Sequence, residues 1–128
     1  MSVLSAFVTQ LARFLEDLSI TFPESRELKM GIEAIEHARK INPRLILDMF
    51  VIYIYSDMRE SINNKDIVSF RQKIELKLQT KNNEILSSIG VFQRQWDTLS
   101  HTNKESIWKY LKVLCILCEK AGALSSGV

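Results

Sequence analysis

"MFVIYIY", residues 49–55, decides between an all-helical chain and a mixed one. Its β-branched and aromatic residues suit a pleated strand. No partner strand is visible beside it, however, and apolar residues on nearly every side suit a helix surrounded by other helices. We read a helix from Pro43 to about Arg59. The run is too short to cross a bilayer, which takes about 20 apolar residues, so no membrane span is predicted.

Moving toward the N-terminus, Asn42 and Pro43 punctuate the chain, with Asn42 as cap and Pro43 as the first helical residue. Before them, Leu28, Ile32, Ile35 and Ala38 form the apolar stripe of a helix ending near Lys40, whose His37, Arg39 and Lys40 complement the negative end of its dipole. Pro23 closes the helix before that one, because proline lacks an N–H and disfavours helical geometry at the preceding residue. It is also placed to open the next helix, with Glu24 and Glu27 in the first turn. In the first helix Leu4, Phe7, Val8, Leu11, Leu15, Leu18 and Phe22 recur at three- and four-residue steps, as on one helical face. Arg13, Glu16 and Asp17 interrupt the apolar positions, so this stretch reads as an amphipathic helix and not as a secretory signal.

Moving toward the C-terminus, "SINNKD", residues 61–66, reads as a turn. Residues 67–83 are ambiguous: Phe70, Ile74 and Leu78 keep a helical step, whereas Ile74, Leu76 and Leu78 alternate as in a strand. We read a helix. From Asn83, Ile85, Ile89, Phe92, Trp96 and Leu99 step down one face of a further helix, which Gly90 weakens by about 1 kcal/mol relative to Ala. Thr102 and Glu105 have capping-box spacing, so the last helix is expected to begin near Asn103 and run to Ala121, with Gly122 as its stop. The fold class is all-α: a compact bundle of about five to six helices, one domain over residues 1–122, and a frayed tail at 123–128.

The composition agrees with this reading. A chain of 128 residues suits one core, and four Gly and two Pro are too few for a turn-rich sandwich or barrel. The net charge of +2 is far too small to imply nucleic-acid binding through bulk electrostatics; such binding would need a local patch.

Cys115 and Cys118 form a CxxC pair, yet they share a helical stripe with Ile107, Trp108, Leu111 and Leu114. A redox CxxC normally follows a strand at a helix N-terminus, where the dipole lowers the thiol pKa; here three turns of helix precede it. A structural zinc site takes four ligands, and His37 and His101 are lone and unspaced. Core packing, in a reducing compartment, is the expectation. Neither histidine has a nucleophile or acid at motif spacing. The carboxylate pairs Glu33 with Glu36 and Glu16 with Asp17 read as solvated helix surface, and no phosphate-binding glycine motif occurs. Lys73, Lys77 and Lys81 align at four-residue steps, with Arg71 nearby, as a possible basic ridge. Glu75 and Glu84 interleave with them, and no stacking aromatics are placed among them. Of the bulky aromatics that anchor interfaces, Trp96 and Trp108 fall on core stripes, leaving Tyr110 as the interaction candidate.

Three stretches carry a likeness: "FLEDLSITFPES", "INPRLILDMFVIYIY" and "WDTLSHTNKESIWKYLKVLCILCEKA". Together, over roughly residues 10–121, the chain resembles a family of small uncharacterised helical proteins of nucleocytoplasmic large DNA viruses, those of algal viruses and their giant-virus relatives. Residues 61–84 fit least well. The resemblance implies a viral protein in the host cell cytoplasm or the virion, and it transfers no catalytic residue.

The expectation is thus a non-enzymatic protein acting by protein–protein contact, as a virion component or host-factor adaptor, with no catalytic residue, cofactor or metal. The partner would be viral or host, and homo-oligomerisation stays open. The alternative is a nucleic-acid-associated protein using Lys73, Lys77 and Lys81; a zinc-stabilised domain using Cys115 and Cys118 stands third.

Overall fold

Serine, asparagine and aspartate side chains start most of the helices. Ser2, Ser25, Asp66, Asn83 and Ser100 each accept a backbone N–H three residues on, satisfying a donor that the first helical turn leaves open. In the computed structural model, which describes residues 2–122, they open α1 (Val3–Thr21), α2 (Arg26–Ile41), α5 (Ile67–Thr80), α6 (Glu84–Ile89) and α8 (His101–Lys120). Between them lie α3 (Arg44–Phe50), a π-helical segment (Val51–Tyr55), α4 (Ser56–Asn63), α7 (Val91–Arg94) and a 3₁₀ turn (Trp96–Thr98). Because α3 runs through the π segment into α4, and α6 leads directly into α7, the architecture is an all-α bundle of six helical units. Among the described residues there is no strand. The expected tail at 123–128 lies outside them.

The 49–55 stretch is helical, and its π geometry follows from its spacing. Ile46, Phe50, Ile54, Met58 and Ile62 are all buried, each four residues after the last. In a regular α-helix every step of four overshoots the turn by about 40°, so four steps would carry Ile62 to the far side. One wider turn takes back about 100° of this, roughly one residue's worth, and keeps the stripe on the core. Ser56 stabilises that turn twice. Its N–H reaches back five residues to the Val51 carbonyl, and its hydroxyl donates to the Ile52 carbonyl at 2.8 Å.

Four boundaries differ from the sequence reading, two of them because a neighbouring serine provides the cap. Ser25, not Pro23, opens α2, which leaves Pro23 and Glu24 in the connecting turn. The helix through 49–55 runs on to Asn63, so the turn expected at 61–66 shrinks to residues 64–66, with Lys65 in the left-handed region at φ 53°. Residues 83–99 do not form one helix. They break at Gly90, where a Cβ would meet Leu78 Cδ1 at 2.9 Å, yet Ile85, Ile89, Phe92 and Trp96 still turn inward. Ser100, not the Thr102–Glu105 pair, caps α8; Glu105 instead pairs with Lys65. The expected helix over 67–83 is present as α5, and Gly122, at φ 69°, stands where a left-handed C-terminal stop belongs.

α1 is the spine of the bundle. It buries Phe7, Val8, Leu11, Ala12, Phe14, Leu15 and Leu18 and packs against α2, α3 and α8. α2 lies closely on α6, because Gly31 faces Ser88: a Cβ on Gly31 would sit 2.3 Å from the Ser88 hydroxyl oxygen. Ser88 spends that buried hydroxyl on the Ile85 carbonyl of its own helix. At the centre a chain of rings runs from Phe14 through Phe92 and Phe70 to Trp108 and Trp96, with neighbouring centroids 5.3–6.2 Å apart. Such contacts add about 0.5–1.5 kcal/mol per pair beyond the area they bury. Both tryptophans are therefore core residues, as their stripes predict.

Candidate interaction site

The helical spacing does place Lys73 and Lys77 along one side of α5, but that side faces α4, and Lys81 is the extended residue just past the end of the helix. Lys73 Nζ donates to the Asp57 carbonyl at 2.9 Å, Lys77 Nζ lies 2.6 Å from the Asp57 carboxylate, and Lys81 Nζ stands 5.8 Å from the centre of the Tyr53 ring. All three are engaged within the fold. Arg71 is not part of this row, and its buried Nε has no hydrogen-bond partner.

Tyr110 is placed differently. α1 and α8 pack antiparallel: Phe14 lies opposite Tyr110, while Thr21 and Phe22 at the end of α1 approach Leu99 and Asn103 at the start of α8. The Tyr110 ring stacks on Phe14 with centroids 5.1 Å apart, and its hydroxyl donates to the Asp17 carboxylate. Partial burial and that carboxylate together push the Tyr110 phenol up to about 12, so it is a neutral donor at neutral pH. Beside it the two helices leave a cleft of about 110 Å³. Leu18, Phe22 and Ile107 contribute apolar lining; Asp17, Thr21 and Ser106 contribute polar groups. Phe22 also lines a second, open recess of about 380 Å³, shared with Pro23, Glu24, Val91 and Arg94. The two hollows therefore adjoin across one ring. Ile20, three residues after Asp17 on α1, is 78% exposed.

A second tyrosine–carboxylate pair closes the far end of α8. Tyr55, at the end of the π segment, donates to Glu119 Oε2 at 2.5 Å, and Arg59 Nε donates to the same oxygen at 2.8 Å. Burial, then the Glu119 bond, pushes the Tyr55 phenol up to about 12. The Tyr55 hydrogen bond, followed by Arg59, holds the Glu119 carboxyl below its ordinary value.

Cys115 and Cys118 lie in the core as unpaired thiols. Burial pushes Cys115 up to about 12 and Cys118 higher still, far from the thiolate that metal binding or nucleophilic chemistry requires. His37 and His101 are both exposed, on α2 and at the first residue of α8. Among the described residues, no three His, Cys, Asp or Glu side chains converge as metal ligands would, and no helix is long and apolar enough to cross a membrane.

Of the four candidate residues, Tyr110 borders a hollow lined by both apolar and polar groups, and the three lysines are engaged within the fold. Of its neighbours, the sequence reads Asp17 as solvated helix surface and Phe22 as part of an apolar stripe, and it does not single out Thr21 or Ser106, because the cleft joins positions about 90 residues apart and no local spacing announces a helix pairing of that range. Comparison with protein-family models, with curated proteins and with solved structures finds no match to this chain.

Proposed function

We propose that this chain is a non-enzymatic viral protein that works through contact with another protein, as a virion component or as an adaptor on a host factor in the cytoplasm of the infected cell. The observation that carries this reading is the solvent-open α1–α8 cleft, with apolar lining and a polar rim at Asp17 and Tyr110, on a helix that also exposes Ile20 three residues after Asp17. Exposed apolar groups next to a shallow hollow with polar edges are what a partner covers. Support for viral origin comes from the three stretches described above, which fall on the α1–α2, α2–α3 and α7–α8 junctions.

The test is cross-linking mass spectrometry on the tagged protein from infected cells, with and without nuclease, for the natural chain and an Ile20→Glu/Thr21→Arg double variant. The contact reading expects nuclease-resistant cross-links concentrated on α1 and α8, lost in the variant. Partners that all vanish with nuclease, or that the variant retains in full, overturn it.

A further inference from the structure

We infer that the α1–α8 cleft accepts a single apolar side chain from a partner segment that carries a basic residue next to it, and that Asp17 receives that charge. The inference rests on the contact-protein reading and names the chemistry of the partner.

Size is the first argument. At about 110 Å³ the cleft is smaller than the roughly 300–1,000 Å³ of ordinary cofactor sites. It is close to the roughly 150 Å³ of an apolar cavity that holds one benzene. A single ring or branched aliphatic group fits, placed against Leu18 and Ile107.

Charge is the second. Four carboxylates that join helices across the bundle hold a cation: Glu27 has Arg94, Asp57 has Lys77, Glu105 has Lys65 and Glu119 has Arg59; Glu75 instead joins α5 to α7 through the neutral amide of Gln93, and it does not line the cleft. Asp17 also joins two helices, but it does so through a neutral phenol, and no cation forms an ion pair with it among the described residues. Arg13, one turn back on α1, is near enough to act on Tyr110 but does not pair with Asp17. Across Phe22, Glu24 is likewise without a hydrogen bond or ion pair. Two carboxylates without cations thus border the adjoining hollows, one on each side of the Phe22 ring. A segment with one apolar anchor and a neighbouring Lys or Arg complements this edge.

The test needs no partner in hand. The ¹⁵N-labelled full chain is titrated at millimolar concentrations with benzylamine, benzyl alcohol and phenylacetate, which share a phenyl group and differ in charge. We expect benzylamine to move the amides of Leu18, Thr21 and Ile107 and to bind about 2- to 5-fold more tightly than benzyl alcohol, the span of one exposed charge pair. Phenylacetate should bind more weakly than either. Asp17→Asn should erase the advantage of the amine while keeping the affinity for the alcohol. No response in the cleft, equal binding of the three probes, or an amine advantage that survives Asp17→Asn overturns the inference. A silent cleft alongside specific cross-links elsewhere sinks this inference alone. Fragment binding in a chain that captures no protein partner sinks the contact reading and, with it, the peptide occupant.

Discussion

Tyr55 and Tyr110 are near twins that do different things. Each is anchored on a helix, donates its hydroxyl to a carboxylate on another helix, and is pushed up to about 12. At Tyr55 the carboxylate is shared with Arg59, the ring is 7% exposed, and the charge is balanced within the fold. At Tyr110 there is no such arginine, the ring is half-buried, and a cleft opens beside it. One cation separates a closed contact from an open one. The same pair of groups therefore reads as internal fastening at one end of α8 and as a receptive edge at the other.

The largest break in this comparison comes from removing the ring under Tyr110. Phe14 is 1% exposed and touches both Tyr110 and Phe92, so Phe14→Ala should cost about 3–5 kcal/mol in thermal or denaturant unfolding. Next, Glu119→Ala leaves the part-buried Tyr55 hydroxyl without its acceptor and Arg59 without its carboxylate, and should cost about 1–2 kcal/mol. Asp17→Ala, its counterpart at the exposed end, should cost under about 1 kcal/mol, because water replaces the lost partner. Equal losses from the two substitutions would erase the distinction.

Alkaline titration sharpens the comparison further. Both phenols are raised from 10.0 to about 12, so the protonated form is the one that the fold favours. The stability they contribute is complete below pH 10 and is lost as pH rises through about 12. Absorbance at the tyrosinate band should show two late-ionising groups, with Tyr55→Phe and Tyr110→Phe removing one each. The smallest effect is that of Tyr110→Phe on stability, under about 1 kcal/mol, since the stack on Phe14 remains.

Much of the fold was legible because its signals are local. The prolines at 23 and 43 and the glycine at 122 mark real boundaries, and the stripes of α1 and α8 name their buried faces, including Trp108, Cys115 and Cys118. The ambiguous segment at 67–80 is helical even though Leu76 is 63% exposed, because Phe70 and Ile74 are buried in the core and Ile67 and Leu78 pack against it. Competition between adjacent signals was harder to read. Ser100 and Thr102 both suit a helix start, and the choice rests on which one takes extended backbone, here Ser100 at φ −67° and ψ 158°. The site was mostly hidden. Tyr110 was visible as an aromatic off the core stripe, but its acceptor lies 93 positions away. The lysines had the expected spacing, yet Asp57, which takes up two of them, belongs to a different helix.

The wide turn at Val51–Tyr55 has a consequence for how this sequence can change over time. A π turn amounts to one residue more than an α-helix needs, so losing one residue within 51–55 returns a regular helix whose two flanks keep their orientation. The same deletion anywhere in α4 ahead of Met58 or Ile62 would swing the following side chains by about 100°, turning buried groups toward water. Among relatives of this chain, length differences in the third helical unit should therefore gather at this one turn, and the helix on either side should keep its register across them.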